Sequence, residues 1–373
     1  KTGFAHLFEH LMFSGSANVP DFDEPIQKAG GESNAFTNSD ITNFYEILPA
    51  ENIETALWLE SDRMTALVCS RKEFEVQQKV VIEEFKETTL NIPYGDVWHT
   101  ISSNAFKKHP YRWPTIGLTP DHIAKARIED VLKFYESYYV PNNAIISISG
   151  NISTERAFEL VEKWFGDINP GPTPAKVWSQ EDEQTKHIRK EIQSNVPLRS
   201  LYLNFHMCDR YSDDFYVCDV ISDLLSGGRS SRFYQRLLKD QELFSYIDAY
   251  ITGTVEPGLF LIEAKPHDST TVQGGVDGIW KELEELKAGK IGEEELEKVK
   301  NKIESSLVFS EVNNLNKAIN LAYFEMVGDV DLINKQSGKY RDVTVDDIIK
   351  TSNQVFQSTN CTEIIYLPED EKL

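Results

Sequence analysis

Cysteine is scarce in this sequence, with 4 residues among 373, and no two of them form a CxxC motif. That density is far below the density of a disulfide-stabilised scaffold, so we expect the cysteines to be small buried side chains. The sequence also lacks any run of about 18 apolar residues, which excludes an ordinary membrane-spanning helix.

Basic residues are also relatively few. The sequence has 38 Lys and Arg and 60 Asp and Glu, which gives a net charge of −22. An acidic chain repels phosphate backbones, so nucleic acid is not an expected partner, whereas a basic peptide would be attracted. Hydrophobic residues (40%) and charged residues (26%) occur in the proportions of a globular protein. The length predicts two domains.

Two helix patterns indicate an internal duplication. Residues 128–133 (IEDVLK) and 345–350 (VDDIIK) match position by position, and an apolar stretch that predicts a strand follows each of them, at 144–150 and 362–367. Under this duplication the strand predicted at 200–207 has a counterpart before residue 1. The first domain is therefore expected to lack its opening strand or strands.

A proline-bearing and then acidic segment, 171–185, is the predicted linker. It separates a first domain over 1–178 from a second over 186–373. Each half mixes short strands with long helical patterns instead of alternating strictly between strand and helix. This favours an α+β fold, with an antiparallel sheet and helices on one face in each domain.

The sequence HLFEH at residues 6–10 carries the strongest chemical signal. On a helix, His6 and His10 lie one turn apart on one face, and Glu9 lies on the same side. Two imidazoles and a carboxylate suit Zn²⁺ with one position left for water, and a second carboxylate beside that water can take its proton. From the composition, about 0.02 occurrences of HxxEH are expected by chance.

A third ligand is needed, and the helical segment 80–87 (VVIEEFKE) offers three carboxylates. Its apolar residues mark a buried side, but the spacing leaves Glu83, Glu84 and Glu87 as alternatives.

HLFEH followed by VVIEEFKE resembles the insulinase/pitrilysin family of zinc metallopeptidases, especially its shorter bacterial and mitochondrial-processing-peptidase-like members. The similarity extends along the chain. It includes the segments GFAHLFEHLMFSGS, GGESNAFTNSDITNFYE, YYVPNNAIISISGNI and LLSGGRSSRFYQRLL. The resemblance implies two homologous domains with the metallohydrolase fold of that family, of which only the first is catalytic.

The resemblance implies a role for each matching residue. His6, His10 and Glu84 would bind one zinc ion per chain, and Glu9 would be the general base. Members of the family tend to have an acidic residue seven positions before the third ligand, where it supports the site. That position is Gln77 here, and a neutral amide can form hydrogen bonds but supplies no charge.

Active members also use an Arg and a Tyr, seven residues apart in a non-catalytic domain, to contact the substrate. The matching positions are Lys239 and Tyr246. Lysine keeps the charge but lacks the planar fork that binds an oxygen bidentately, so either Lys239 substitutes or another subunit provides the pair.

The segment Asn34-Ala35-Phe36-Thr37 matches the edge strand on which such peptidases bind substrate. An extended peptide can add to a sheet edge through backbone hydrogen bonds, and the small Ala35 would let its backbone approach.

The leading hypothesis is therefore a zinc metalloendopeptidase acting on short or unfolded peptides. A substrate chamber in this family needs four homologous domains, which implies a homodimer or a heterodimer with a homologous subunit. The alternatives are a catalytically silent scaffold subunit and a zinc-stabilised binding module. The expected compartment is the bacterial cytoplasm or periplasm, and any targeting signal is expected to have been in residues that are missing before residue 1.

Overall fold

The computed structural model describes residues 2–172 and 178–369. Five residues of the predicted linker, 173–177, lie outside the described residues. The α-helices, in chain order, are α1 (Phe4–Met12), α2 (Asp23–Lys28), α3 (Ile53–Ala66), α4 (Arg71–Phe85), α5 (Val97–Ala105), α6 (Pro120–Ala124), α7 (Ile128–Tyr138), α8 (Thr154–Phe165), α9 (Asp214–Ser226), α10 (Val272–Lys287), α11 (Glu293–Ser310), α12 (Asn314–Val327), α13 (Leu332–Asp342) and α14 (Val345–Val355).

Within residues 2–172 and 178–369, seven strands form two sheets. The strands are β1 (Glu32–Thr37), β2 (Thr42–Ile47), β3 (Ile188–Ser194), β4 (Ser200–His206), β5 (Phe244–Ile251), β6 (Leu259–Pro266) and β7 (Cys361–Pro368). β1 and β2 form an antiparallel hairpin, and the other five strands form a sheet in the order β3-β7-β4-β6-β5. Every pairing is antiparallel except that of β3 with β7. The mixture of helices with antiparallel-rich sheets confirms the predicted α+β class.

The chain divides into two compact units. The first comprises Lys1–Asn91, Trp113–Trp178 and Glu311–Val330, and the second comprises Ile92–Arg112, Ser179–Ser310 and Asp331–Leu373. The division into domains over 1–178 and 186–373 stays a prediction. None of the described helices is long and apolar enough to cross a membrane.

The second unit is built around β4, which is buried on both faces. Leu203 and Phe205 contribute to the large core beneath α9, α10 and α14, whereas Tyr202 on the opposite face belongs to a smaller core with α5. The alternating pattern of 200–207 predicted this strand, and its burial on both faces is the added finding of the structure.

Residues 144–150 do not form the strand that their sequence predicts, and this expectation was wrong. Its supposed counterpart β7 pairs with both β3 and β4. No described strand pairs with 144–150, and Ile145 and Ile146 are each 44% exposed. A strand needs hydrogen-bonding neighbours, so an apolar sequence alone does not make one.

The first unit packs around α1. Four of its side chains, Leu7, Phe8, Leu11 and Met12, are at most 3% exposed and share a core with Val81 of α4. This burial leaves a single polar stripe on α1, and the stripe faces α4 and the β1–β2 hairpin.

Candidate metal centre

Helix α1 positions the two histidines of HLFEH. The helix follows Gly3, whose φ of +83° favours glycine, and a Cβ there would approach the Ile116 carbonyl oxygen to 2.7 Å. Burial of Leu7 and Leu11 directs His6 and His10 to the polar stripe, where their ring centroids are 4.9 Å apart.

Helix α4 selects one of the three candidate carboxylates. Its start is fixed by a capping box between Ser70 and Glu73. Further along, Val81 and Phe85 are buried against the first unit's core, which sets the rotation of the helix. Glu84 consequently faces α1.

The two other candidates point elsewhere. The Glu83 side chain is 63% exposed and pairs with Lys86 at 2.6 Å, and Glu87 is exposed in the turn that follows α4. The structure thus brings Glu84, and neither neighbour, to the two histidines.

The three side chains form a compact donor set. Oε2 of Glu84 lies 3.3 Å from Nε2 of His10, and Oε1 lies 3.6 Å from Nε2 of His6. One ligand atom from each residue fits within 4.8 Å of the others. Two imidazole nitrogens and one carboxylate oxygen are a zinc ligand set that leaves a fourth position open, so the residues fit this metal.

The electrostatics suit metal binding. The hydrogen bond with His10 holds the pKa of Glu84 below its usual value, which keeps the carboxylate ionised. Burial lowers the pKa of His6 and favours the neutral imidazole, the form that binds metal. Nδ1 of His6 is buried without a hydrogen-bond partner among the described residues, so Nε2 is the atom directed at the site.

We expect Glu84→Gln to lose zinc affinity while Glu83→Gln keeps it. A structural zinc site yields about 10–16 kcal/mol over four ligands, so losing one ligand should weaken binding by about 100- to 1000-fold. Calorimetric titration of the chelator-treated variants measures this. Equal losses in the two variants would show that the choice of Glu84 is wrong.

Glu9 lies on the same stripe of α1 and contacts the hairpin. Its Oε2 accepts a hydrogen bond from the Thr37 hydroxyl at 2.5 Å. Thr37 ends β1, and in the described part of the chain β1 pairs with β2 only. The other edge of the segment Asn34–Thr37 is therefore free of described strand partners, as strand addition by a peptide requires.

The remaining predicted residues are placed as follows. Gln77 is half-buried on α4, two turns before Glu84, and no hydrogen bond of its side chain is among those described. Lys239 and Tyr246 belong to the second unit, where Lys239 is exposed and its Nζ lies 3.5 Å from Gln235.

Tyr246 is 41% exposed on β5, and burial of the rest of its side chain raises its pKa to about 12. The cation beside its ring is Lys265, its cross-strand partner, at 5.6 Å. The sequence analysis did not identify this lysine, because only strand register makes the two residues neighbours.

Comparison with known proteins identifies the family of the chain. Residues 1–118 match the family model for insulinase (peptidase family M16), and residues 125–303 match the model for the peptidase M16 inactive domain.

Two similar proteins carry the name zinc protease. PqqE of Helicobacter pylori is 28% identical over 99% of this chain and 84% of its own length. YmxG of Bacillus subtilis, named as an uncharacterized zinc protease, is 27% identical over 95% of this chain and 82% of its own length. A crystal structure of a protease from Helicobacter pylori superposes with a TM-score of 0.92 at 27% identity, and covers 99% of this chain and 90% of that one. The chain belongs to the insulinase family of peptidases, peptidase family M16.

Proposed function

We propose that this protein is a zinc-dependent metalloendopeptidase that hydrolyses short or unfolded peptides. The observation that supports this most strongly is the convergence of His6, His10 and Glu84, from two helices, beside the carboxylate of Glu9. The names of the similar zinc proteases support the same activity.

Three side chains are proposed to bind the metal, and a fourth is proposed to transfer the proton. His6, His10 and Glu84 would hold the metal, which when bound supplies a Lewis acid that polarises the scissile carbonyl and lowers the pKa of water. Glu9 accepts a proton from the attacking water and delivers it to the departing amine. The free edge of β1 at Asn34–Thr37 holds the peptide as an added strand.

The proposal also assigns substrate contacts to the second unit. By the resemblance, Tyr246 and Lys239 assist the scissile carbonyl, and a homologous second subunit completes a four-domain chamber as a homodimer or heterodimer. Gln77 would support the ligands through hydrogen bonds alone. These departures from the family pattern at Gln77 and Lys239 favour a catalytically silent partner subunit as the second candidate.

Zinc removal distinguishes the two candidates. We expect cleavage of a mixture of quenched fluorescent peptides to stop after dialysis against a chelator and to return with one equivalent of zinc per chain. Cleavage that persists without metal would contradict the proposal. Zinc binding without any cleavage, by the protein alone or with its homologous partner, would favour the silent subunit.

A further inference from the structure

The hairpin residues Thr37 and Thr42 form a hydrogen-bonded pair that ends on Glu9. They lie opposite each other at the last cross-strand position of β1 and β2, with their hydroxyl oxygens 3.2 Å apart. The turn between them is held by Asn38, whose side-chain oxygen accepts hydrogen bonds from the backbone N–H groups of Asp40 and Ile41. The spacing T-x₄-T with this turn puts both hydroxyls on one face.

A buried phenol lies beside the pair. The ring of Tyr139 packs on Phe8 of α1 with centroids 4.5 Å apart. Burial raises the pKa of Tyr139 far above its usual value, so the phenol keeps its proton.

Proton counting gives these hydrogen bonds one direction. A carboxylate only accepts hydrogen bonds, and each hydroxyl has a single proton. Thr37 therefore donates to Glu9, and Thr42 donates to Thr37. Each donor in the row polarises the next, so the bond that reaches the carboxylate is strengthened.

We infer that Thr37 is a positioning residue for Glu9, supported from behind by Thr42. The row occupies Oε2 of Glu9, while Oε1 has no hydrogen-bond partner among the described residues. Oε1 is consequently the atom that takes the water proton, and the carboxylate is held in one rotamer for that transfer. This role rests on the proposed function, but the contact itself can be tested without activity.

The test of the contact is a double-mutant cycle on thermal unfolding of the chelator-treated protein, which requires neither metal nor substrate. Thr37→Val keeps the shape and the β-branch but removes the hydroxyl. We expect it to lower the melting temperature by about 3 °C in the wild type and by less than about 1 °C in Glu9→Ala, where the acceptor is gone. The same shift in both backgrounds would refute the contact.

Thr65→Val is the matched control. Its hydroxyl donates to the Ser61 carbonyl on the exposed side of α3, so its shift should be equal in the two backgrounds and its activity normal.

The test of the role is kinetic. We expect Thr37→Val to lower kcat by about 10- to 100-fold with KM within about twofold and zinc affinity unchanged. Thr37→Ser, which restores the hydroxyl, should recover kcat to within about threefold. An unchanged kcat in Thr37→Val, or an equal loss in Thr37→Ser, would overturn the positioning role. A wild type that cleaves no peptide would refute the proposed function instead, leaving the result of the thermal cycle standing.

Discussion

Glu9→Gln is expected to reduce peptide cleavage by at least about 1000-fold while leaving the protein folded and loaded with zinc. Glutamine has the size of glutamate and can still accept the hydrogen bond from Thr37. It has no basic oxygen that can take a proton from water, so the loss should appear in kcat and leave zinc stoichiometry at one per chain.

The matched control for this loss is Glu83→Gln, which neutralises an exposed carboxylate on the adjacent helix. It should cleave at the wild-type rate. Equal activity in Glu9→Gln and the wild type would remove Glu9 from the mechanism and point to a contaminating peptidase, because both preparations would then share an activity independent of the site.

Arg63→Met is expected to cost about 3–5 kcal/mol in free energy of unfolding. Arg63 is 1% exposed on α3, and its guanidinium lies over the rings of Phe22 at 4.2 Å and Phe44 at 4.5 Å. It forms two hydrogen bonds with Glu60 and lies 3.5 Å from Glu46.

The carboxyl groups around Arg63 explain the size of this loss. Burial raises the pKa of Glu46 well above its usual value and so favours its neutral form. Burial is also the largest single effect on Glu60 and acts to raise its pKa, but the charge and hydrogen bonds of Arg63, together with Glu46, lower that pKa overall. Methionine fills the space without charge, so Glu60 would be left as a buried anion with no cation.

Denaturant unfolding measures this prediction against Arg156→Met. Arg156 is about half exposed and pairs with Glu54 and Glu159 at the surface, so its loss should cost less than about 1 kcal/mol. A loss below about 1 kcal/mol in Arg63→Met would show that the buried cluster does not stabilise the first unit. Phe44 and Glu46 lie on β2, the strand that also carries Thr42. A large loss of stability in Arg63→Met would therefore indicate that the contacts of Arg63 help to hold the β1–β2 hairpin in place.

Local patterns predicted the parts of the site that depend on one helix. His6, Glu9 and His10 were predictable because helical spacing alone places them on one side of α1. Glu84 was not separable from Glu83 and Glu87 by spacing, because the choice depends on how the apolar side of α4 rotates against a core that is assembled from distant segments.

Strand prediction was limited in the same way, because strand pairing also depends on distant segments. The central strands β4 and β7 were predicted from the sequence at 200–207 and 362–367, whereas β3 and β5, the two edges of the five-stranded sheet, were missed. The sequence of β3 is IRKEIQS, and its charged side chains are exposed. Charged residues are common on edge strands, where they hide the apolar pattern that would indicate a strand. Conversely, the apolar residues 144–150 gave a strand prediction that failed, because strand pairing is decided by neighbours that are remote in sequence.

The central claim is that His6, His10 and Glu84 bind the zinc used in peptide hydrolysis. The most direct measurement is an anomalous difference map at the zinc absorption edge, from crystals of the zinc-loaded protein. We expect one strong peak at about 2.0–2.2 Å from Nε2 of His6, Nε2 of His10 and a carboxylate oxygen of Glu84. A zinc-loaded crystal with no peak there, or with its peak on other residues, would contradict this ligand assignment.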